Sequence, residues 1–297
     1  MLGLGSGINK LSSAEAAAIA ARSGGYLLDT YSGAAAAYSL RQLSSSYSGN
    51  AVKVRRASDN AEADIRFVNG EIDTTGLASH CGSSNGFVSA WYDQSSNSND
   101  AMQTTAANQP KIYDGTTGVV TPGSNSNPAI DGDGNNYLRT AAISTEFANG
   151  YTYYAVVDEI GYNRFPFIYG ENNESTSFSM HCVTTNSGTH RNGGVTTSPL
   201  QRGDRDGLIQ SVFYDGSTNV DVFMSHENGT QNSGSNTVTA LASTTGGNIL
   251  TLFSSWSGGN PFQNVTGQLQ ELIIWPTDQS SNRTAIEDNI NTFYSIY

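Results

Sequence analysis

The chain has 297 residues, enough for one large domain or two small ones; 13% of them are charged, the net charge is −12 and 32 are glycine. That acidic balance excludes nucleic acid as a partner, because binding it needs clustered Lys and Arg to neutralise phosphates. No apolar stretch approaches the roughly 20 residues of a membrane span. Cys81 and Cys182, far apart and accompanied by four scattered histidines, make neither a disulfide framework nor a metal-ligand spacing.

The thiols are therefore expected to be reduced, with one long-range bridge left open, and neither a cofactor nor a metal is expected. Residues 1–25 form a distinct opening. Ser12 and Glu15 have the capping-box spacing, and an alanine-rich helix is predicted to run to about Arg22 and stop at Gly24-Gly25. This segment reads either as a frayed leader or as an anchor arm that orders only against a neighbouring subunit or a virion surface. It does not read as a signal peptide, since Lys10 follows the first apolar residues and Glu15 interrupts the alanine run. Residues 26–297 read as one domain in which apolar runs alternate with Asn- and Gly-rich turns.

Within Ala51–Arg55, Val52 and Val54 fall on one face and Lys53 and Arg55 on the other. Further strands are predicted at Gly86–Tyr92, Tyr151–Val157, Phe165–Tyr169, Phe178–Val183, Leu208–Tyr214, Val220–Ser225, Ile249–Phe253 and Gln268–Trp275. Pro276 then breaks the chain before a helix whose Ile286, Ile290 and Phe293 share one stripe. Trp91 and Trp275 belong to apolar strand patterns and are predicted core. The expected fold class is all-β: an antiparallel sandwich of about eight to fourteen strands, with a short N-terminal arm and a C-terminal helix.

The block from LLDTYSGAAAAYSLRQL to GFVSAWYDQSSNSNDAMQTTAANQP, Leu27 to Pro110, resembles the N-terminal half of concanavalin A-like jelly-roll modules of bacteriophage and marine bacterial surface proteins. The closing strand and helix resemble those of laminin G-like modules. A more distant resemblance is to the catalytic domain of arabinofuranosidase B-type glycosidases, carried by Trp91-Tyr92-Asp93-Gln94-Ser95 and Tyr169-Gly170-Glu171-Asn172.

The catalytic positions that this second resemblance implies are not matched. No counterpart of the nucleophilic glutamate stands between Met180 and Leu208, and the expected acid/base position reads Leu252-Phe253-Ser254-Ser255-Trp256-Ser257-Gly258-Gly259. Cys182 has no neighbouring cysteine. Glu71-Ile72-Asp73 echoes the acidic strand of laminarinase-type enzymes without its second carboxylate, because Thr74, Thr75 and Gly76 follow. Asp93 suits an Asx turn that caps loop N–H groups. Asp131-Gly132-Asp133-Gly134-Asn135 has the oxygen spacing of a calcium loop but lacks the closing glutamate, so it is read as a turn.

No catalytic residue is assigned on these grounds. The candidate ligand residues are Trp256, in the loop-like SSWSGGN stretch, and Tyr169, Glu171, Asn172 and Arg191, near predicted strand ends: aromatic and hydrogen-bonding groups that could meet a glycan. The resemblance implies a non-enzymatic phage virion protein, exposed on the particle as a fibre, receptor-binding or decoration subunit. Its partners would be other virion proteins, through the arm, and host surface glycan; a homotrimer is the oligomer this allows. The alternatives are an arabinofuranosidase-like glycoside hydrolase, with Glu171 and one of Glu174, Asp204 or Asp206 as its carboxylates, and a purely structural subunit.

Overall fold

The computed structural model describes residues 25–161, 164–171, 175–182, 189–192, 195–197, 207–227, 229–238, 240–243 and 247–297. The arm and its predicted helix lie outside the described residues, apart from Gly25. In chain order the first elements are α1 (Leu27–Thr30), β1 (Ala36–Ser39), β2 (Asn50–Arg56), β3 (Glu62–Val68), β4 (Glu71–Ile72), α2 (Thr74–Cys81), β5 (Gly86–Trp91), β6 (Ala101–Met102), β7 (Lys111–Asp114), β8 (Gly118–Val119), β9 (Ile130–Asp133) and β10 (Leu138–Ile143). There follow β11 (Tyr151–Asp158), β12 (Arg164–Tyr169), β13 (Phe178–Cys182), β14 (Thr189–Asn192), β15 (Val195–Thr197), β16 (Leu208–Tyr214), β17 (Asn219–His226), β18 (Gln231–Thr237), β19 (Asn248–Leu252), β20 (Ser255–Ser257), β21 (Asn260–Phe262), β22 (Thr266–Trp275) and α3 (Arg283–Tyr294).

Two antiparallel layers result. One runs β18–β17–β16–β11–β22–β1, with β9 following β1 along the same edge of β22. The other runs β3–β2–β5, crosses through β6 to β10, and continues β19–β12–β13–β14–β15. Strands β7 and β9 join the two layers at one side. This is the jelly-roll sandwich expected, with more strands, many of them short.

Strand β11 shows why the first layer sits at the centre. All eight of its residues are buried, because both faces are covered. Tyr151, Tyr153, Ala155 and Val157 enter the core between the layers, while Tyr154 and Val156 enter a second core beneath α3. On β22, Leu269, Leu272 and Ile274 face the first core, and Ile273 and Trp275 the second. A bulge at Gln270, opposite Val156 and Val157, changes which positions face inward. In α3, Ile286, Ile290 and Tyr294 recur every fourth residue and close the second core. Burying each isoleucine contributes about 1.5–3 kcal/mol.

A charged cluster fastens the same junction. The Arg41 guanidinium grips Glu271 through two contacts, of 2.8 and 2.9 Å, with both side chains buried. Ser39 donates to Glu271 at 2.7 Å and the Tyr294 hydroxyl at 3.2 Å, while Arg41 also donates to Asn289 at 2.9 Å. A buried pair is tolerated when its remaining donors and acceptors are met in this way. Trp91 and Trp275 are core, as expected.

Three elements differ from the expectation. Helix α2 forms where an acidic motif was read, because the Asp73 side chain accepts the Gly76 N–H at 2.8 Å and so caps it. Strand β18 carries almost no apolar residue and is held by its backbone ladder with β17. The loop expected at Trp256 is a hairpin, β20–β21. Cys81 is a buried free thiol, which excludes the bridge left open above.

Candidate active site

The site is built on the face of the second layer that points away from the core. Alternation sends Leu138, Leu252, Phe167 and Met180 inward, and register then aligns a row on the opposite side: Arg139 beside Thr251, Thr251 beside Ile168, Ile168 beside Ser179. Arg191 continues that row in the backbone register, opposite Ser179. His181 lies two residues beyond Ser179, its ring stacked on Phe165 at 4.0 Å.

The β20–β21 hairpin brings an aromatic group onto the row. Gly258 and Gly259 occupy its tip at φ +56 and +79, the pair of left-handed residues that a type I′ turn requires. The turn seats the Trp256 ring 3.5 Å from the Arg139 guanidinium carbon, with Tyr137 meeting the ring edge-on at 5.6 Å. At the rim, Glu171 Oε2 accepts the Gly258 N–H at 3.1 Å. Gly170, at φ +85, ends β12 and sets this direction; a side chain there would crowd Asn248 and Ser177 at 3.0–3.1 Å.

Burial lowers the Arg139 pKa, and the neighbouring Tyr137 and Glu171 partly offset that. The guanidinium remains a cation under an aromatic ring. Arg139 Nε, Thr251 Oγ1 and Ser255 Oγ are buried without a hydrogen-bond partner.

The five candidate ligand residues are not brought together as expected. Tyr169 is 1% exposed and belongs to the inner core, where its ring packs on Phe147 and Phe178 and its hydroxyl accepts the Asn248 N–H. Its parity with Phe167 on β12 turns it inward, so it offers a ligand no surface. Trp256 is 8% exposed, a cover for Arg139 rather than an open stacking platform. Glu171 stands at the rim as described. Asn172, the side chain of Arg191, and Glu174, Asp204 and Asp206 lie outside the described residues. Arg139 and Thr251 went unselected, although the alternation that follows Leu138 already marks Arg139 as outward-facing.

The discounted motifs have structural roles. Asp93 is buried; its oxygens accept from the backbone of Ala37, Ser95 and Asn99 and from the Ser95 hydroxyl, as the Asx reading requires. Asp131 accepts from Gln268, and Asp133 from the Asn135 N–H. Among the described residues no group of three His, Cys, Asp or Glu could hold a metal ion.

The family model of the alpha-L-arabinofuranosidase B catalytic domain matches residues 29–265. Among solved structures, a GH54 α-L-arabinofuranosidase soaked with a cyclic sulfate inhibitor aligns with a TM-score of 0.70 at 15% identity, covering 90% of this chain and 64% of that one. A mutant GH54 enzyme soaked with 4-nitrophenyl α-L-arabinofuranoside gives 0.68 at 15% identity, with the same coverage of 90% and 64%. An arabinofuranosidase complexed with arabinofuranosyl-α-1,2-xylobiose gives 0.63 at 16% identity, covering 88% and 63%. This chain thus spans less than two thirds of those proteins. No curated protein matches the sequence. The family match overturns the expectation of a non-enzymatic phage virion subunit, which rested on the resemblance to phage jelly-roll modules, the separable arm and the acidic, polar surface. The chain belongs to the family of alpha-L-arabinofuranosidase B catalytic domains.

Proposed function

We propose that the protein is a glycoside hydrolase that releases α-L-arabinofuranosyl groups at the outward face of the second layer. The observation that carries this reading is the family match over residues 29–265. It is supported by the fold shared with arabinofuranosidases solved with 4-nitrophenyl α-L-arabinofuranoside and with arabinofuranosyl-α-1,2-xylobiose.

Hydrolysis with retention uses two carboxylates about 5–5.5 Å apart, one attacking the anomeric carbon and the other protonating the leaving oxygen. In this reading Glu171 is one of them, because it stands at the rim beside the Arg139–Trp256 stack. The other comes from Glu174, Asp204 or Asp206. Arg139, only partly buried, supplies donors to the sugar hydroxyls, with Trp256 seated against its guanidinium.

The test is release of 4-nitrophenol from 4-nitrophenyl α-L-arabinofuranoside. Wild-type turnover is expected, with kcat falling about 10²–10⁴-fold in Glu171→Gln. A silent, folded wild-type protein refutes the reaction class. Full turnover in the variant removes Glu171 from the mechanism and leaves the class standing.

A further inference from the structure

A second groove lies where β5 ends, and it shares none of its lining with the face just described. It consists of two cavities, of about 340 and 290 Å³, which have Tyr47, Ser95 and Ser96 in common. The larger is lined by Tyr47, Tyr92, Asn50, Ser98 and Asp100; the smaller extends it past Ser44 and Ser46 toward Leu28.

Its walls are preset. The Tyr47 hydroxyl donates to the Asn50 carbonyl at 2.9 Å and that of Tyr92 to Asp64 at 2.6 Å, so both rings are held in place. Gly49 is needed for this, since a Cβ there would come within 2.5 Å of the Tyr47 hydroxyl. The loop beneath is tied down by Asp93, whose carboxylate is taken up by loop and strand donors. Asn97 and Asn99 add bonds of 2.9 and 2.8 Å to the carbonyls of Ala34 and Ala35. Asp100 differs from Asp93: one oxygen holds the Asp93 N–H at 2.9 Å, and the other remains as an acceptor. Burial first, and then the nearby Asp100 and Asp93 charges, push the Tyr47 phenol up to about 12.

Two fixed phenol rings, hydroxyls, an amide and one carboxylate acceptor are the groups that recognise a sugar, by stacking and by hydrogen bonds to its hydroxyls. No Lys or Arg lines either cavity, so an anionic ligand finds no countercharge. We propose that this groove binds a neutral oligosaccharide, as a subsite separate from the Glu171 face. Its two joined cavities suit more than one sugar unit, and its occupation does not depend on whether Glu171 hydrolyses anything.

The test is saturation-transfer NMR of the whole chain against arabinotriose, xylotriose, cellotriose and maltotriose, each offered separately. At least one trisaccharide is expected to receive saturation. Asp100→Asn should weaken its binding about tenfold or more, the loss of one hydrogen bond to a charged acceptor. Ser96→Trp, at the exposed position common to both cavities, should abolish binding, and Glu171→Gln should leave it unchanged. Circular dichroism confirms that each variant is folded. Silence across all four sugars overturns the proposal, as does binding that survives Ser96→Trp or is lost in Glu171→Gln. Titration with calcium chloride alone separates the remaining case: a melting shift that vanishes in Asp100→Asn, with no sugar bound, makes the groove a cation site and overturns the proposal.

Discussion

Replacing Arg41 with methionine probes the cluster that fastens β1, β22 and α3. Methionine keeps much of the aliphatic volume but leaves Glu271, which is 0% exposed, facing only the Ser39 and Tyr294 hydroxyls. Two charge-assisted bonds, at 2.8 and 2.9 Å, are lost along with the 2.9 Å contact to Asn289. Breaking one side of a buried pair costs about 3–5 kcal/mol, chiefly because the surviving charge stays desolvated. At about 2–4 °C per kcal/mol for a domain of this size, the melting temperature should fall by roughly 6–20 °C. The assay is thermal and urea unfolding followed by circular dichroism, on Arg41→Met, Glu271→Leu and the double variant. The double variant should lie within about 2 kcal/mol of the parent, since removing both charges removes the desolvated one. Additive losses would refute the reasoning, because they would mean that the two residues stabilise the fold independently of one another.

Two further outcomes follow from particular residues. Gly247, at φ +77, would place an added Cβ 1.9 Å from the Ile143 carbonyl oxygen, so Gly247→Ala should destabilise the β10–β19 connection by about 1–3 kcal/mol; an unchanged urea midpoint would contradict this. Tyr38, Tyr151 and Tyr294 are fully buried with pKa values raised by desolvation, and Tyr47 is raised to about 12. Because the folded values exceed the unfolded value of about 10, the stabilisation is complete below pH 10 and is lost as pH rises toward 12 and beyond. Melting temperature should hold to about pH 9.5 and then fall steeply; a flat profile to pH 12 would contradict the tyrosine burial.

The architecture was legible because apolar alternation carries through most strands. Leu208–Tyr214 was read with the bounds observed, and β11 and β22 within two residues. Position on a strand was less legible than its existence. Tyr169 sits at a strand end, which suggested a rim, yet its parity with Phe167 places it in the core. Trp256 looked like an exposed loop residue because SSWSGGN is polar; the two glycines instead form a turn that folds the ring onto Arg139. Asp73 was weighed as half of a catalytic pair although its spacing to Gly76 is that of a helix cap. The family was visible in the shared strand and turn segments. Function was misjudged because missing carboxylates at a few positions were given more weight than the relationship of the whole domain.

Strand β22 imposes an order on synthesis. It pairs with β1, so Ser39 meets a partner 232 positions further along the chain, and β1 and β11 lack this neighbour until that late segment has been made. Until then β11 has one edge unpaired, with the place that Ile274 takes beside Tyr153 left empty. Slow emergence of Thr266–Trp275 from the ribosome should therefore lengthen the period in which a nascent chain can aggregate, and shortening the chain before this segment should leave it insoluble.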